Sequence, residues 1–338
     1  MSKDILIWGA GAIGGTVGAW LLRAGYDVTF VDVDSQHVEC IRDPHRGLKI
    51  TGEVDSFTVQ AKAFHPSELS GKWQRIFLAV KAHHTADATR QLAPFLDADG
   101  YVLSLQNGLC ESTISQIVGE DRTVGAFINF YADWTAPGEI NYSNRGAAVI
   151  GELDGRLTPR LATLHADLSH FEPGIIQSEE LSGWLWGKLG YASLLFAQAV
   201  GEKGIADCLA REDIRPVLLA LAREIVQVAD AEGIALKGFN GFDPQAFRAG
   251  ASVEAINSTF HNMVEFNRPN TKTHSGIWRD LAIRKRPTEV DGQLGIVVRI
   301  AGDHGIATPA LNALIAQIHQ IERGERPLAE NNLNELLI

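Results

Sequence analysis

Cysteine is scarce in this chain: Cys40, Cys110 and Cys208 are an odd three among 338 residues and lie far apart. That argues against a disulfide framework and for a reducing compartment. Positive charge is also in deficit, with 30 Lys and Arg against 41 Asp and Glu for a net charge of −11. Such a balance offers no long-range attraction to a phosphate backbone or an anionic bilayer, so neither nucleic acid nor a membrane is expected as a partner. No apolar run approaches the ~20 residues that span a bilayer. The start, Met1-Ser2-Lys3-Asp4, leads straight into a strand-like Ile5-Leu6-Ile7 without the pattern of a signal peptide. A cytoplasmic location is the expectation. Internal repeats, low-complexity tracts and an obvious flexible linker are missing too. The adjacent His83 and His84 look metal-like, but neighbouring side chains are expected to point apart and no third ligand stands at useful spacing, so no metal is expected.

What is present is apolar content, 45% of the residues, which suffices for two buried cores in a chain longer than one average domain. Short β-branched runs alternate with helical patterns through the first half: Ile5 to Trp8, Ile13 to Ala24, Val28 to Val31, Arg75 to Val80, Thr85 to Leu96, Tyr101 to Leu105. That alternation implies parallel strands joined by crossover helices. From Thr123 to Gly151, β-rich pieces broken by Pro137-Gly138 and Asn144-Arg145-Gly146 read as hairpin strands extending the same sheet. After a helix near Pro159 to His170 and a short strand at Ile175-Ile176 the chain turns helical. Ser178, followed by Glu179 and Glu180, is a plausible helix cap. The expected division is 1–177, an α/β domain with a doubly wound, mostly parallel sheet, and 178–338, an all-α domain.

Gly9-Ala10-Gly11-Ala12-Ile13-Gly14 sits between the first strand and the first helix. The first glycine permits the tight turn, the second lets a pyrophosphate approach the backbone, and the third lets helix and strand pack closely. The second strand, Val28-Thr29-Phe30-Val31, ends in Asp32, about twenty residues on, which completes the Rossmann dinucleotide-binding pattern. A carboxylate at Asp32 can accept both ribose hydroxyls of NAD and would repel the 2′-phosphate of NADP, so NAD is the expected cofactor. Asp34, Arg42 and Arg46 lie close enough for a loop to bring a cation to a phosphate, which keeps NADP open. Lys81 and Gln106-Asn107-Gly108 each follow a strand, where ligand crevices of such sheets lie, although Asn-Gly is also a common turn.

In the second half, the helix from Ser178 is apolar on nearly every side, and its stripe Trp184, Lys188, Ala192 and Phe196 carries one charge. A buried Lys188 is either an acid/base group with a lowered pKa or a stem packed along a helix edge with its head in water. Thr271 to Ser275 opens a further helix, and its hydroxyls suit either an anionic ligand or ordinary capping. Thr288 and Asp291 are spaced as a capping pair around Glu289, which otherwise complements the helix dipole.

These motifs, in order and spacing, resemble the ketopantoate reductase (2-dehydropantoate 2-reductase) family across essentially the whole chain: Gly9 to Gly14; Val80-Lys81-Ala82 with Thr85; Gln106-Asn107-Gly108; Trp186-Gly187-Lys188-Leu189; Ser275 with Asp280; Arg286 to Asp291; His304-Gly305 with Thr308-Pro309. The resemblance implies a nicotinamide-dependent reductase of pantothenate biosynthesis acting on CH–OH groups, with its active site in a cleft between a Rossmann and a helical domain. It further implies that Lys188 donates the proton to the substrate carbonyl, that Glu289 and Asn107 arrange the site, and that Ser275, with Asn107, holds a small acid substrate. The glycine loop with Ala10, Ala12 and Ile13, then Asp32, Lys81, Asn107 and Glu289, would contact the cofactor.

The sequence departs from the family at Ala192 and Phe196, where asparagines usually contact substrate, at Cys110, where glycine is usual, and at Asp32, since the family's usual cofactor is NADPH. Those departures fit an NAD-dependent dehydrogenase of another hydroxy acid or sugar acid. A non-catalytic dinucleotide sensor on the same fold would not need Lys188, Ser275 and Glu289 together. Apolar helix faces leave a homodimer open.

Overall fold

The computed structural model describes residues 4–336, and the chain divides into two compact units, Met1–Leu181 and Ser182–Ile338. The first unit contains β1 (Asp4–Trp8), β2 (Asp27–Val31), β3 (Leu48–Thr51), β4 (Phe57–Val59), β5 (Lys62–Phe64), β6 (Trp73–Leu78), β7 (Leu96–Ser104), β8 (Thr123–Ile128), β9 (Tyr131–Ala136), β10 (Glu139–Asn144), β11 (Ala148–Glu152) and β12 (Ile176–Gln177). Its helices are α1 (Ala12–Arg23), α2 (Ser35–Arg42), α3 (Thr85–Leu92), α4 (Glu111–Val118) and α5 (Pro159–Leu168).

The main sheet runs β12-β11-β8-β7-β6-β1-β2-β5 and is parallel except where β8 meets β11. Both faces are covered, which is why β1 reads as a continuous apolar run. Ile5 and Ile7 pack with Val17 and Leu21 of α1 on one side, while Leu6 and Trp8 pack with Leu92 of α3 and Ile114 of α4 on the other.

The structure corrects one expectation here. Strands β8 and β11 extend the main sheet, but β9 and β10 belong to a second, four-stranded sheet of order β4-β3-β10-β9. Strand β10 pairs in parallel with β3, Glu139 facing Lys49 and Ile140 facing Ile50. The cause is the outer face of α1, which is itself apolar and small. A methyl on Gly15 would lie 2.3 Å from Ile140 Cδ1, and the Trp20 ring stands edge-on to Phe57 and Tyr142 at 4.6 and 5.1 Å. The second sheet lies over this face, leaving Gly14 to Leu21 buried.

The second unit is helical. Its long helix α6 (Leu181–Ala199) is followed by helices including Arg215–Ala231, Val253–Asn267 and Pro309–Glu322. Among the described residues no helix is long and apolar enough to cross a membrane.

Candidate active site

Four of the expected site elements of the first unit meet at the C-terminal edge of the main sheet, because β1, β2, β6 and β7 run parallel and end together. Trp8 faces Val31 and Leu78, and Leu78 faces Ser104. The glycine loop, Asp32, Lys81 and Asn107 follow these four ends.

The loop's glycines answer to different demands. Gly9 has φ +101°, and a Cβ there would stand 2.9 Å from the backbone carbon of Ala79. At Gly14 a Cβ would lie 2.0 Å from the Gly9 carbonyl oxygen. The fold itself therefore dictates both. Gly11 differs: its φ is −67°, and a Cβ would meet nothing within 4 Å. Among the described residues nothing requires glycine at 11; the space beside it suits a ligand. Gly11 is also the N-cap of α1 and provides no side-chain cap, so the positive end of a twelve-residue helix faces that space. These residues fit a dinucleotide pyrophosphate.

Asp32 accepts from the Ala10 N–H through Oδ2 (2.8 Å) and from the Asp34 N–H through Oδ1 (3.0 Å), while its own N–H donates to the Phe64 carbonyl (3.1 Å). A carboxylate has about four lone-pair positions, so two remain for ribose hydroxyls. Asp34 caps α2 by accepting from the His37 N–H (2.9 Å). Arg42 is paired with Glu39 and, at 3.4 Å, with Glu68. Arg46 lines a surface cavity of about 580 Å³ that also holds the carboxylates of Glu39 and Glu139.

His37 went unnoticed in the sequence. It is 1% exposed, and its Nδ1 accepts from the Gly138 N–H (2.8 Å) and from Trp134 Nε1 (3.3 Å), so the ring proton is on Nε2, which donates to the Ala10 carbonyl (2.8 Å). The Ala10 peptide is thus held by Asp32 on one side and by His37 on the other. The only sequence signal was a polar residue on the apolar face of α2, beside Val38 and Ile41.

Asn107 is half-buried at the turn that Gly108 makes with φ +91°, and the buried Cys110 thiol donates to the Asn107 carbonyl (3.3 Å). Lys81 is also half-buried. The rings of His83 and His84 do not point apart: on their 3₁₀ turn the centroids are 4.0 Å from each other. Among the described residues no three His, Cys, Asp or Glu side chains converge as a metal site.

In the second unit, α6 has a face of glycines. A methyl on Gly183 or Gly187 would strike the Ala235 or Lys237 carbonyl at 2.3 or 2.1 Å, and one on Gly190 the Phe242 ring at 2.7 Å. That face is closed by the Ala235 and Lys237 backbone and the Phe242 ring. Lys188 lies on another stripe with Trp184 and Leu195, all half-buried, and is the helix's one charged residue. Ala192 is buried and Phe196 fully so. Ser275 caps the short helix Gly276–Arg279, its Oγ accepting from the Trp278 N–H (3.1 Å), and its own N–H donates to Gln198 on α6 (3.4 Å). Glu289 is half-buried between two π-helical turns, Asp280–Arg284 and Asp291–Gly295, in a segment where Lys285 adopts φ +50°. Such rare backbone concentrates at functional sites. Asp280 is 2% exposed and accepts from Arg284 (3.0 Å) and Arg286 (2.9 Å), which fixes the approach to Glu289. The expected capping pair forms only in part: Thr288 Oγ1 accepts from the Val290 N–H (3.3 Å), but its hydroxyl and its own N–H go to Glu322 (2.8 and 2.7 Å) rather than to Asp291, which faces His319 (3.1 Å).

Family models described as "Ketopantoate reductase PanE/ApbA" and its C-terminal counterpart match residues 5–155 and 180–322. The chain belongs to the ketopantoate reductase family. It is accordingly a nicotinamide-dependent oxidoreductase acting on CH–OH groups or the matching carbonyls. It is 29% identical to the 2-dehydropantoate 2-reductase of Pyrococcus abyssi over 92% of this chain and 95% of that one. A PanE/ApbA family ketopantoate reductase structure from Ralstonia eutropha superposes with a TM-score of 0.79 at 25% identity, covering 95% of this chain and 99% of the other. D-mandelate dehydrogenase with NADH and anilino(oxo)acetate shares the fold with a TM-score of 0.82 at 21% identity and the same coverage.

Proposed function

We propose that this chain reduces ketopantoate or a close 2-oxo acid with NADH, Lys188 being the proton donor. The observation that carries the reading is α6: its glycine face is packed shut by the Ala235 and Lys237 backbone and the Phe242 ring, and Lys188 stands on the stripe that stays partly open. When bound, the nicotinamide supplies the hydride to the keto carbon. Lys188 gives a proton to the carbonyl oxygen as negative charge develops there, and in the oxidative direction the neutral amine takes it back. The Ser275 hydroxyl, whose oxygen already accepts from Trp278, retains its hydrogen to donate to the substrate carboxylate. Asn107 orients substrate and cofactor, and Glu289 arranges the site. The glycine loop holds the pyrophosphate, with Lys81 as a further cofactor contact. Asp32 accepts the ribose hydroxyls and disfavours a 2′-phosphate; Arg42, occupied by Glu39 and Glu68, adds no free cation for one.

A second reading, an NAD-dependent dehydrogenase of a different 2-hydroxy acid, is favoured by Ala192 and by the fully buried Phe196, which offer a substrate no amide. Initial rates with ketopantoate, comparing NADH and NADPH at equal concentration, separate the two. Turnover that is faster with NADH supports the first. Negligible rates with both, followed by turnover of another 2-hydroxy acid with NAD, support the second, and no turnover of any acid contradicts both.

A further inference from the structure

We infer that Gln106 is a positioning residue that locks the backbone on both sides of Lys81 and thereby fixes Lys81 in place. Gln106 follows β7 and is 4% exposed. Its Nε2 donates to the Val80 carbonyl (2.9 Å) and to Thr85 Oγ1 (2.9 Å). Thr85 Oγ1 in turn donates to the Ala82 carbonyl (2.7 Å). The carbonyls flanking Lys81 are therefore held by one hydrogen-bonded chain that starts on the residue before Asn107. A carbonyl can only accept, so the amide nitrogen must face Val80, and the side chain has one orientation. Its Oε1 is left buried with no hydrogen-bond partner. An unmet buried acceptor is costly, so a residue needed only to fill this volume would be apolar. The two donations are what the position requires.

The β6–β7 ladder runs up to the Leu105 N–H on the Leu78 carbonyl (2.8 Å), and past it the chains diverge toward Lys81 and Asn107. Gln106 continues the connection by side chain where backbone pairing gives way to loops. In a Rossmann sheet that is the level at which ligands bind.

The inference rests on the reading of Lys81 as a cofactor contact. Gln106→Met keeps the length and removes both donations. We expect it to raise the dissociation constant for NADH, read by tryptophan-to-nicotinamide energy transfer, roughly 3- to 10-fold, the range of one or two hydrogen bonds, while kcat falls less than twofold. Thr85→Val, which removes the relay, does the same, and Thr85→Ser, which keeps the hydroxyl, restores binding. In a Lys81→Ala background Gln106→Met has no further effect. A Lys81→Ala protein that binds NADH normally overturns both the role of Lys81 and the inference. If Lys81→Ala weakens binding but Gln106→Met adds its full effect on top, Lys81 keeps its role and the inference alone falls. Should Gln106→Met not fold, the Thr85→Val and Thr85→Ser pair decides: equal affinity in the two overturns the inference.

Discussion

Gly11→Ala separates space kept for a ligand from space used by the fold. Two small terms offset in its stability. Alanine is a poorer N-cap than glycine by about 0.5–1 kcal/mol, and removing glycine's freedom from the unfolded chain returns about 0.4–1 kcal/mol. Because the added methyl meets nothing within 4 Å, no clash is added to the sum. Tm should move by no more than about 2 °C for a unit of this size. On the proposed reading the same methyl would stand where the pyrophosphate approaches, and overpacking a close contact costs about 1–3 kcal/mol, or roughly 5- to 150-fold in NADH affinity. Gly14→Ala is the contrast: its methyl meets the Gly9 carbonyl oxygen at 2.0 Å and both Ala79 Cβ and Ile7 at 2.9 Å, so α1 must move off β1. That costs about 3 kcal/mol and lowers Tm by roughly 6–12 °C. Calorimetry and NADH binding on the three proteins check this. A Gly11→Ala protein with normal affinity, or one that melts as early as Gly14→Ala, refutes the reasoning.

Asp32→Ala should lower the ratio of kcat/KM with NADH to that with NADPH by at least about fivefold, since one repelled or recruited charge is worth on the order of 1–3 kcal/mol; an unchanged ratio contradicts the NAD preference. Tyr26 donates to Asp167 (2.5 Å), which also pairs with the buried Arg75, and burial together with that carboxylate pushes the phenol from 10 up to about 12. A folded pKa above the unfolded one means that the hydroxyl stabilises fully below pH 10 and loses this contribution as pH rises toward 12. Tm of the wild type should therefore fall more steeply than that of Tyr26→Phe across that window; parallel curves would show no coupling. All three cysteines are buried, and burial pushes the Cys208 thiol up to about 12, so the native protein should give no fast-reacting thiol at pH 8 and three after denaturation.

The glycine loop, Asp32 and the parallel core strands were legible because each follows from local chemistry: a positive φ, a strand end, an apolar run buried on both faces. The second sheet was not. Strand β10 finds its partner β3 some 90 residues earlier in the chain, Glu139 against Lys49, and β4 is a three-residue strand; nothing local announces such a pairing. For the same reason nothing local announces that Thr288 also reaches Glu322, 34 residues away, through both its N–H and its hydroxyl. His37 likewise takes its bonds from Ala10, Trp134 and Gly138. At Ser275 and Asn107 the sequence left capping or turn formation beside ligand binding, and the structure shows the cap and the turn plainly, while the ligand contact remains part of the proposal.

Lys188→Ala, assayed for NADH binding and for turnover of the acid that the wild type reduces, tests the central claim. The account predicts affinity within about twofold of wild type and turnover lower by at least about 100-fold, the contribution of a positioned general acid. Turnover that survives the substitution would contradict it.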